Sequence, residues 1–210
     1  MKILGLSFGY HDAAAALVQD GVIIAAAQAE RFSRKKHDER FPAEAIDFCL
    51  DSAGLEARNL DAVVYYENTA LKWDRIVSSY LDEIDKQPQY LERVIGSWIY
   101  NSKFDPEYQI ADYLGLPIER IAALSHHQSH AASAYYCSPF AEAAVVTLDG
   151  VGEYETMTVS IGNESGIEKL SFQSFPHSVG LLYSAITAYL GFEVNEGEYK
   201  VMGMIRYGKP

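Results

Sequence analysis

At 210 residues the chain suffices for one large domain or two small ones with a sizeable core. Hydrophobic residues make up 49% and charged ones 22%, an ordinary globular balance in which no run approaches the ~18 apolar residues of a membrane span. A formal net charge of -12 opposes a phosphate backbone and argues against nucleic acid as the main partner.

Met1-Lys2 leads directly into a strand-like run, without the pattern of a signal peptide. Residues 2–7 give the first strand signal, a turn at Gly9-Tyr10-His11-Asp12 follows, and residues 13–19 give the second. The alanines of the second run would suit a helix, but Asp20-Gly21 just after it is a type I′ hairpin signal, with residues 22–28 as the returning strand. ERFSRKKHDER, residues 30–40, reads as a charged connector. Pro42 then opens an amphipathic helix whose apolar stripe is Ile46, Cys49, Leu50 and Ala53 and which stops near Gly54. Residues 60–66 form a fourth strand around Val63-Val64. The stretch 70–115 lacks strand patterning and reads as a helical insertion, with Trp73, Tyr80, Tyr90, Trp98 and Tyr100 as packing residues. Leu116-Pro117 breaks it, and residues 118–124 form a short fifth strand.

SHHQSHAASAYY follows, with Ser125 placed as an N-cap and Ala131 to Tyr136 as good helix material. His126 and His130 are four apart, so on a helix their imidazoles share one face. A buried strand at 143–148 then delivers Asp149 to its end, ahead of the turn Gly150-Val151-Gly152. Two nitrogens and a carboxylate with open positions describe a catalytic metal site; capping and surface histidines beside a turn aspartate are the plainer alternative. Strands at 155–161 and 167–173, joined by Asn163-Glu164-Ser165-Gly166, and a helix over 178–190 repeat the opening pattern. The chain therefore holds one βββα unit from residue 2 and another from 143, a division at 1–142 and 143–210, with no further strand–helix pair expected after Leu190. Neither Cys49 nor Cys137 stands in a C-x-x-C, which points to free thiols in a reduced, cytoplasmic protein.

Duplicated βββα units look like the actin-like (ribonuclease-H-like) ATPase fold, of class α/β, here with its second unit incomplete. Five ordered motifs go further: GLSFGYHDAAAALVQDG, ERFSRKKH, HHQSHAASAYY, VVTLDGVGE and EGEYKVMGM. Together they resemble the N-terminal region of the O-carbamoyltransferase family, which includes nodulation-factor and antibiotic-tailoring enzymes. The resemblance implies a longer enzyme whose C-terminal domain makes carbamoyl-adenylate from carbamoyl phosphate and ATP. The actin-like domain then passes the carbamoyl group to a hydroxylated small-molecule acceptor. It also implies a divalent metal, iron or similar, on His126, His130 and Asp149, with a further aspartate beyond Pro210.

His11 is the candidate general base on the acceptor hydroxyl, with Asp12 orienting it or contacting the acceptor; turn chemistry alone is the alternative. Gly150 and Gly152 would let backbone approach phosphate oxygens, and Arg31 and Lys36 would meet a phosphate or an anionic acceptor unless the connector is simply solvated. Lys200 matches a family segment near the cleft, although MIRYG replaces the usual LAPYG straight after, and a surface lysine is the alternative. His37 and His177 read as ordinary loop histidines. The rival enzymatic readings are a tRNA threonylcarbamoyl transferase, which shares the histidine pair, and a sugar or acetate kinase, which does not need it. The rival non-enzymatic reading is a nucleotide-binding or scaffold module of the same superfold.

Overall fold

The computed structural model describes residues 1–81, 88–100 and 103–209. They form two compact units, Met1–Ser125 and His126–Pro210. In the first, β1 (Lys2–Ser7), β2 (Ala14–Gln19) and β3 (Val22–Gln28) run antiparallel. Asp20 and Gly21 both take positive φ, 50° and 82°, the backbone that a two-residue type I′ turn requires, and Gln19 pairs with Val22 across it. β4 (Ala62–Tyr65) lies parallel to β1, and β5 (Ile121–Ala123) parallel to β4, so the order is β3-β2-β1-β4-β5. The fifth strand is shorter than the expected 118–124, because Ile118–Arg120 make a 3-10 turn after Pro117 before pairing begins.

Strand alternation aims Leu4, Leu6, Ala15 and Leu17 into a common core. The next connector holds a one-turn helix, α1 (Glu30–Ser33). The following helix, α2 (Ala43–Ala53), contributes Ala45, Ile46, Cys49 and Leu50 to that core and ends on Gly54 at φ 59°. Each fully buried Leu or Ile side chain there contributes about 1.5–3 kcal/mol. The insertion comprises α3 (Thr69–Leu81), α4 (Pro88–Tyr100) and α5 (Pro106–Leu114). Trp73, Trp98 and Phe104 stack there with ring centroids 4.9–5.1 Å apart, and Tyr80 is buried. Tyr100 is exposed, and the side chain of Tyr90 lies outside the described residues.

The second unit opens with α6 (His126–Tyr135), followed by β6 (Ala143–Leu148), β7 (Glu155–Asn163) and β8 (Gly166–Ser174) in an antiparallel sheet ordered β6-β7-β8. α7 (Val179–Tyr189) and α8 (Glu198–Gly203) come next. The division falls at 125/126 rather than 142/143, because Ala131 and Tyr135 of the histidine helix pack on Val145 of β6. The class is thus α/β as expected, and each unit holds the expected antiparallel βββ, with a five-stranded first sheet and a three-stranded second one among the described residues. No described helix is long and apolar enough to cross a membrane.

Gly162 on β7 lets α6 sit this close, since a Cβ there would stand 2.5 Å from the Tyr135 ring. The Tyr135 hydroxyl, bonded to the Ala141 carbonyl at 2.9 Å, holds that ring in place. Gly162→Ala is therefore expected to destabilise the chain by about 1–3 kcal/mol, read as a lower urea midpoint at unchanged slope.

Candidate active site

α6 sets its histidines on three different partners. The backbone N–H of His126, in the first turn, donates to both carboxylate oxygens of buried Glu153, at 3.0 and 3.1 Å. The acid thus satisfies a helix-end donor and places negative charge at the positive end of the helix. This cap comes from the turn after β6, 27 residues away, where sequence reasoning expected Ser125 alone. His127 is fully buried: its Nε2–H donates to the Glu155 carbonyl at 2.8 Å, and its Nδ1 accepts from the Thr147 hydroxyl at 2.6 Å. Thr147 in turn accepts from Thr158 at 2.7 Å. Burial pushes the His127 pKa down, so the ring is neutral and serves as a pin between helix and sheet.

With the helix fixed, His126 and His130 present their Nε2 atoms to Asp149. His126 Nε2 stands 2.5 Å and His130 Nε2 3.4 Å from Asp149 Oδ2, and the two nitrogens are 3.0 Å apart. Burial works to raise the Asp149 carboxyl, but hydrogen bonds from His126, His130 and the Gly150 N–H outweigh it and hold the group well below the usual carboxylate range. Three lone-pair atoms this close repel unless protons or a cation lie among them. Ligands about 2.1 Å from one ion, at angles between a right angle and the tetrahedral value, stand roughly 3.0–3.4 Å apart, close to two of the three edges. Among the described residues these three form the cluster whose ligand atoms lie within 4.8 Å of one another. Two imidazole nitrogens and one carboxylate suit a divalent iron, zinc or manganese-like ion, with positions left for substrate.

Two further features hold Asp149. The hydroxyl of Ser178, at the start of α7, reaches the carbonyl oxygens of Asp149 at 3.1 Å and Gly150 at 2.7 Å, and accepts from the Leu181 N–H. A Cβ on Gly180 would stand 2.4 Å from the Asp149 carbonyl oxygen, so glycine lets α7 begin against that peptide. Gly152 has a similar reason for being glycine: a Cβ would meet His126 and His127 at 3.0–3.2 Å. Its bareness seats the histidine helix, a role that the phosphate reading of Gly150 and Gly152 did not foresee. Lys200 stands over the rings of Phe192 and Tyr199, 5.9 and 5.7 Å from their centroids, and has no described contact with Asp149.

In the first unit, His11 and Asp12 are brought together in the turn after β1, with Nδ1 2.8 Å from Oδ2. Asp12, at φ 50°, also receives His37 Nδ1 on Oδ1 at 3.0 Å. Burial alone would raise the Asp12 carboxyl; the hydrogen bonds from His37 and His11 turn the balance and lower it. The connector is pinned rather than solvated here, because Gly9 N–H donates to the Glu39 carbonyl and Ala13 N–H to the Asp38 carbonyl, both at 2.8 Å. The buried Asp38 side chain accepts from Arg40 Nε and Nη2 at 2.9 and 2.7 Å. Arg31 is turned to its neighbours Gln28 and Glu30, and Lys36 is exposed. His177 contributes backbone, its carbonyl accepting from Thr156.

The family described as "Carbamoyltransferase N-terminus" matches residues 2–210. The chain belongs to that family. An uncharacterized protein of Synechocystis, sll1178, is 42% identical over 99% of this chain and 35% of its own length. Nodulation protein NolNO of Sinorhizobium fredii is 35% identical over 95% of this chain and 28% of its own. The chain thus spans about a third of the length of these relatives of the carbamoyltransferase family. Among solved structures, YeaZ from Pseudomonas aeruginosa aligns with a TM-score of 0.41 at 15% identity, over 83% of this chain and 67% of that one.

Glu153 carries the geometry of this carbamoyltransferase N-terminus by capping α6. Glu153→Ala leaves the His126 N–H without that acceptor, and a loss of about 1–3 kcal/mol is expected in chemical denaturation.

Proposed function

We propose that this chain is the acyl-transfer portion of an ATP-dependent O-carbamoyltransferase, working in the cytoplasm on a hydroxylated small-molecule acceptor. The convergence of His126, His130 and Asp149 at the end of β6 carries this reading, together with the family to which the chain belongs. A divalent metal on these three residues, iron by preference, would supply Lewis-acid polarisation of the carbamoyl oxygen. The remaining chemistry is asked of the chain's own side chains. His11, its Nδ1–H held by Asp12, keeps Nε2 bare to take the proton from the acceptor hydroxyl. The acceptor oxygen then bonds to the carbamoyl carbon, the bond from that carbon to the phosphate oxygen breaks, and AMP leaves with the electron pair. Gly150, Gly152, Arg31, Lys36 and Lys200 are the residues proposed toward phosphate; the last three have exposed side chains. Carbamoyl-adenylate itself is formed from carbamoyl phosphate and ATP by a C-terminal domain in the length that the relatives have and this chain does not span. Free thiols at Cys49 and Cys137 accord with a reducing compartment.

The reading is tested on a protein carrying this chain together with the rest of its relatives' length. Radiolabelled carbamoyl phosphate and ATP are expected to label a hydroxylated acceptor, and His11→Gln to slow labelling by about 10²–10⁴-fold. The 210-residue chain alone is expected to show no turnover. Failure of the longer protein to label any alcohol, or full activity of His11→Gln, overturns the reading. Metal is followed separately by anaerobic titration of the chain with Fe(II), Mn(II) and Zn(II). His126→Ala is expected to weaken binding by more than the roughly 10–100-fold that loss of an outer-shell partner costs.

A further inference from the structure

We propose that His37 is a positioning residue: through Asp12 it fixes the tautomer and direction of the His11 imidazole. It deepens the reading of His11 as a base and rests on it for its meaning, yet its test observes the imidazole and not turnover.

The two histidines use opposite oxygens of one carboxylate. His11 Nδ1 meets Asp12 Oδ2 at 2.8 Å and His37 Nδ1 meets Oδ1 at 3.0 Å. A carboxylate accepts and cannot donate, so each Nδ1 carries a proton and each Nε2 is left bare when the rings are neutral. With one imidazole alone, Asp12 could rotate about its side-chain bonds and follow His11. A second donor, anchored elsewhere, defines the carboxylate plane. His37 is anchored in that sense. The residues after it, Asp38 and Glu39, accept from the N–H groups of Ala13 and Gly9 and so bracket the His11 turn.

Asp12 and His37 both lie at positive φ, 50° and 55°, a backbone that disfavours side chains. Both side chains remain partly open to solvent, 33% and 38%, so their contact contributes little to stability. A strained pair with little stabilising return fits an orienting role. The other side of His11 is restrained as well: its ring centroid lies 4.6 Å from that of Tyr10. Lys72 sits over Tyr10 at 5.3 Å, held by both oxygens of buried Glu67 at 2.8 Å. His11 thus has a wall and a fixed hydrogen bond, and its Nε2 edge is left for chemistry.

Long-range ¹H–¹⁵N spectra of the ¹⁵N-labelled chain at pH 8, with the six histidines assigned by single variants, read the tautomers directly. His11 and His37 are both expected with Nδ1 protonated and Nε2 bare. In His37→Ala the Nδ1–H fraction of His11 is expected to fall from nearly complete to below half, drifting toward the Nε2–H form that free histidine favours. His37→Asn, whose amide nitrogen takes the place of Nδ1, is expected to restore it. Either ring found Nε2-protonated in the wild type overturns the proposal, as does an unchanged His11 in folded His37→Ala, or equal behaviour of the Ala and Asn variants. If His37→Ala does not fold, the wild-type and Asn spectra decide. Absence of carbamoyl transfer would sink the functional reading and leave these spectra untouched.

Discussion

A negative charge wedged between two imidazoles at the end of β6 is the constraint around which the second unit is arranged. Asp149 keeps its charge in a partly buried position through His126, His130 and the Gly150 N–H, and those rings reach it only if α6 is held at one height and rotation. Each neighbouring feature meets part of that demand. Glu153 fixes the first turn, His127 ties the helix to Thr147 and the Glu155 carbonyl, and Gly152 and Gly162 remove the Cβ atoms that would hold it off. Ser178 and Gly180 hold the Asp149 backbone from the other direction. Four buried polar residues, His127, Thr147, Glu153 and Thr158, are thus engaged in holding the histidine helix at this height and rotation.

Local signals carried much of this into the sequence. Asp20-Gly21 specifies the β2–β3 hairpin and the Gln19–Val22 pair that closes its turn, because turn type and the adjoining pairing are fixed within a few residues. The i, i+4 spacing of His126 and His130 is equally local and puts both rings on one helix face, whereas their meeting with Asp149 spans 23 residues. The residues that complete the geometry answer to partners far along the chain. Glu153 caps a helix that starts 27 positions earlier, His37 meets an aspartate 25 positions earlier, and Gly180 is small because of a peptide at 149–150. No window of sequence distinguishes such a glutamate or histidine from a solvated one. The same holds for the connector 30–40, whose charges suggest a loose loop while its backbone is tied to the turn at 9–13.

The two βββ openings show how one backbone device takes on different work. Each unit follows its first strand with a glycine, and three residues later with an acid: Gly9 and Asp12 after β1, Gly150 and Glu153 after β6. Both acids face histidine. Asp12 accepts from two imidazole side chains, whereas Glu153 accepts from a histidine's backbone N–H. The difference follows from what lies beside each turn. After β1 it is the pinned connector, which brings the His37 ring to Asp12 and leaves His11 on the open side. After β6 it is the N-terminus of α6, whose free N–H groups and dipole draw in a carboxylate and leave Asp149, one residue before the glycine, to meet the rings. A repeated turn thus gives two carboxylate–histidine arrangements, one in which ring nitrogens meet the acid and one in which a helix-end N–H does.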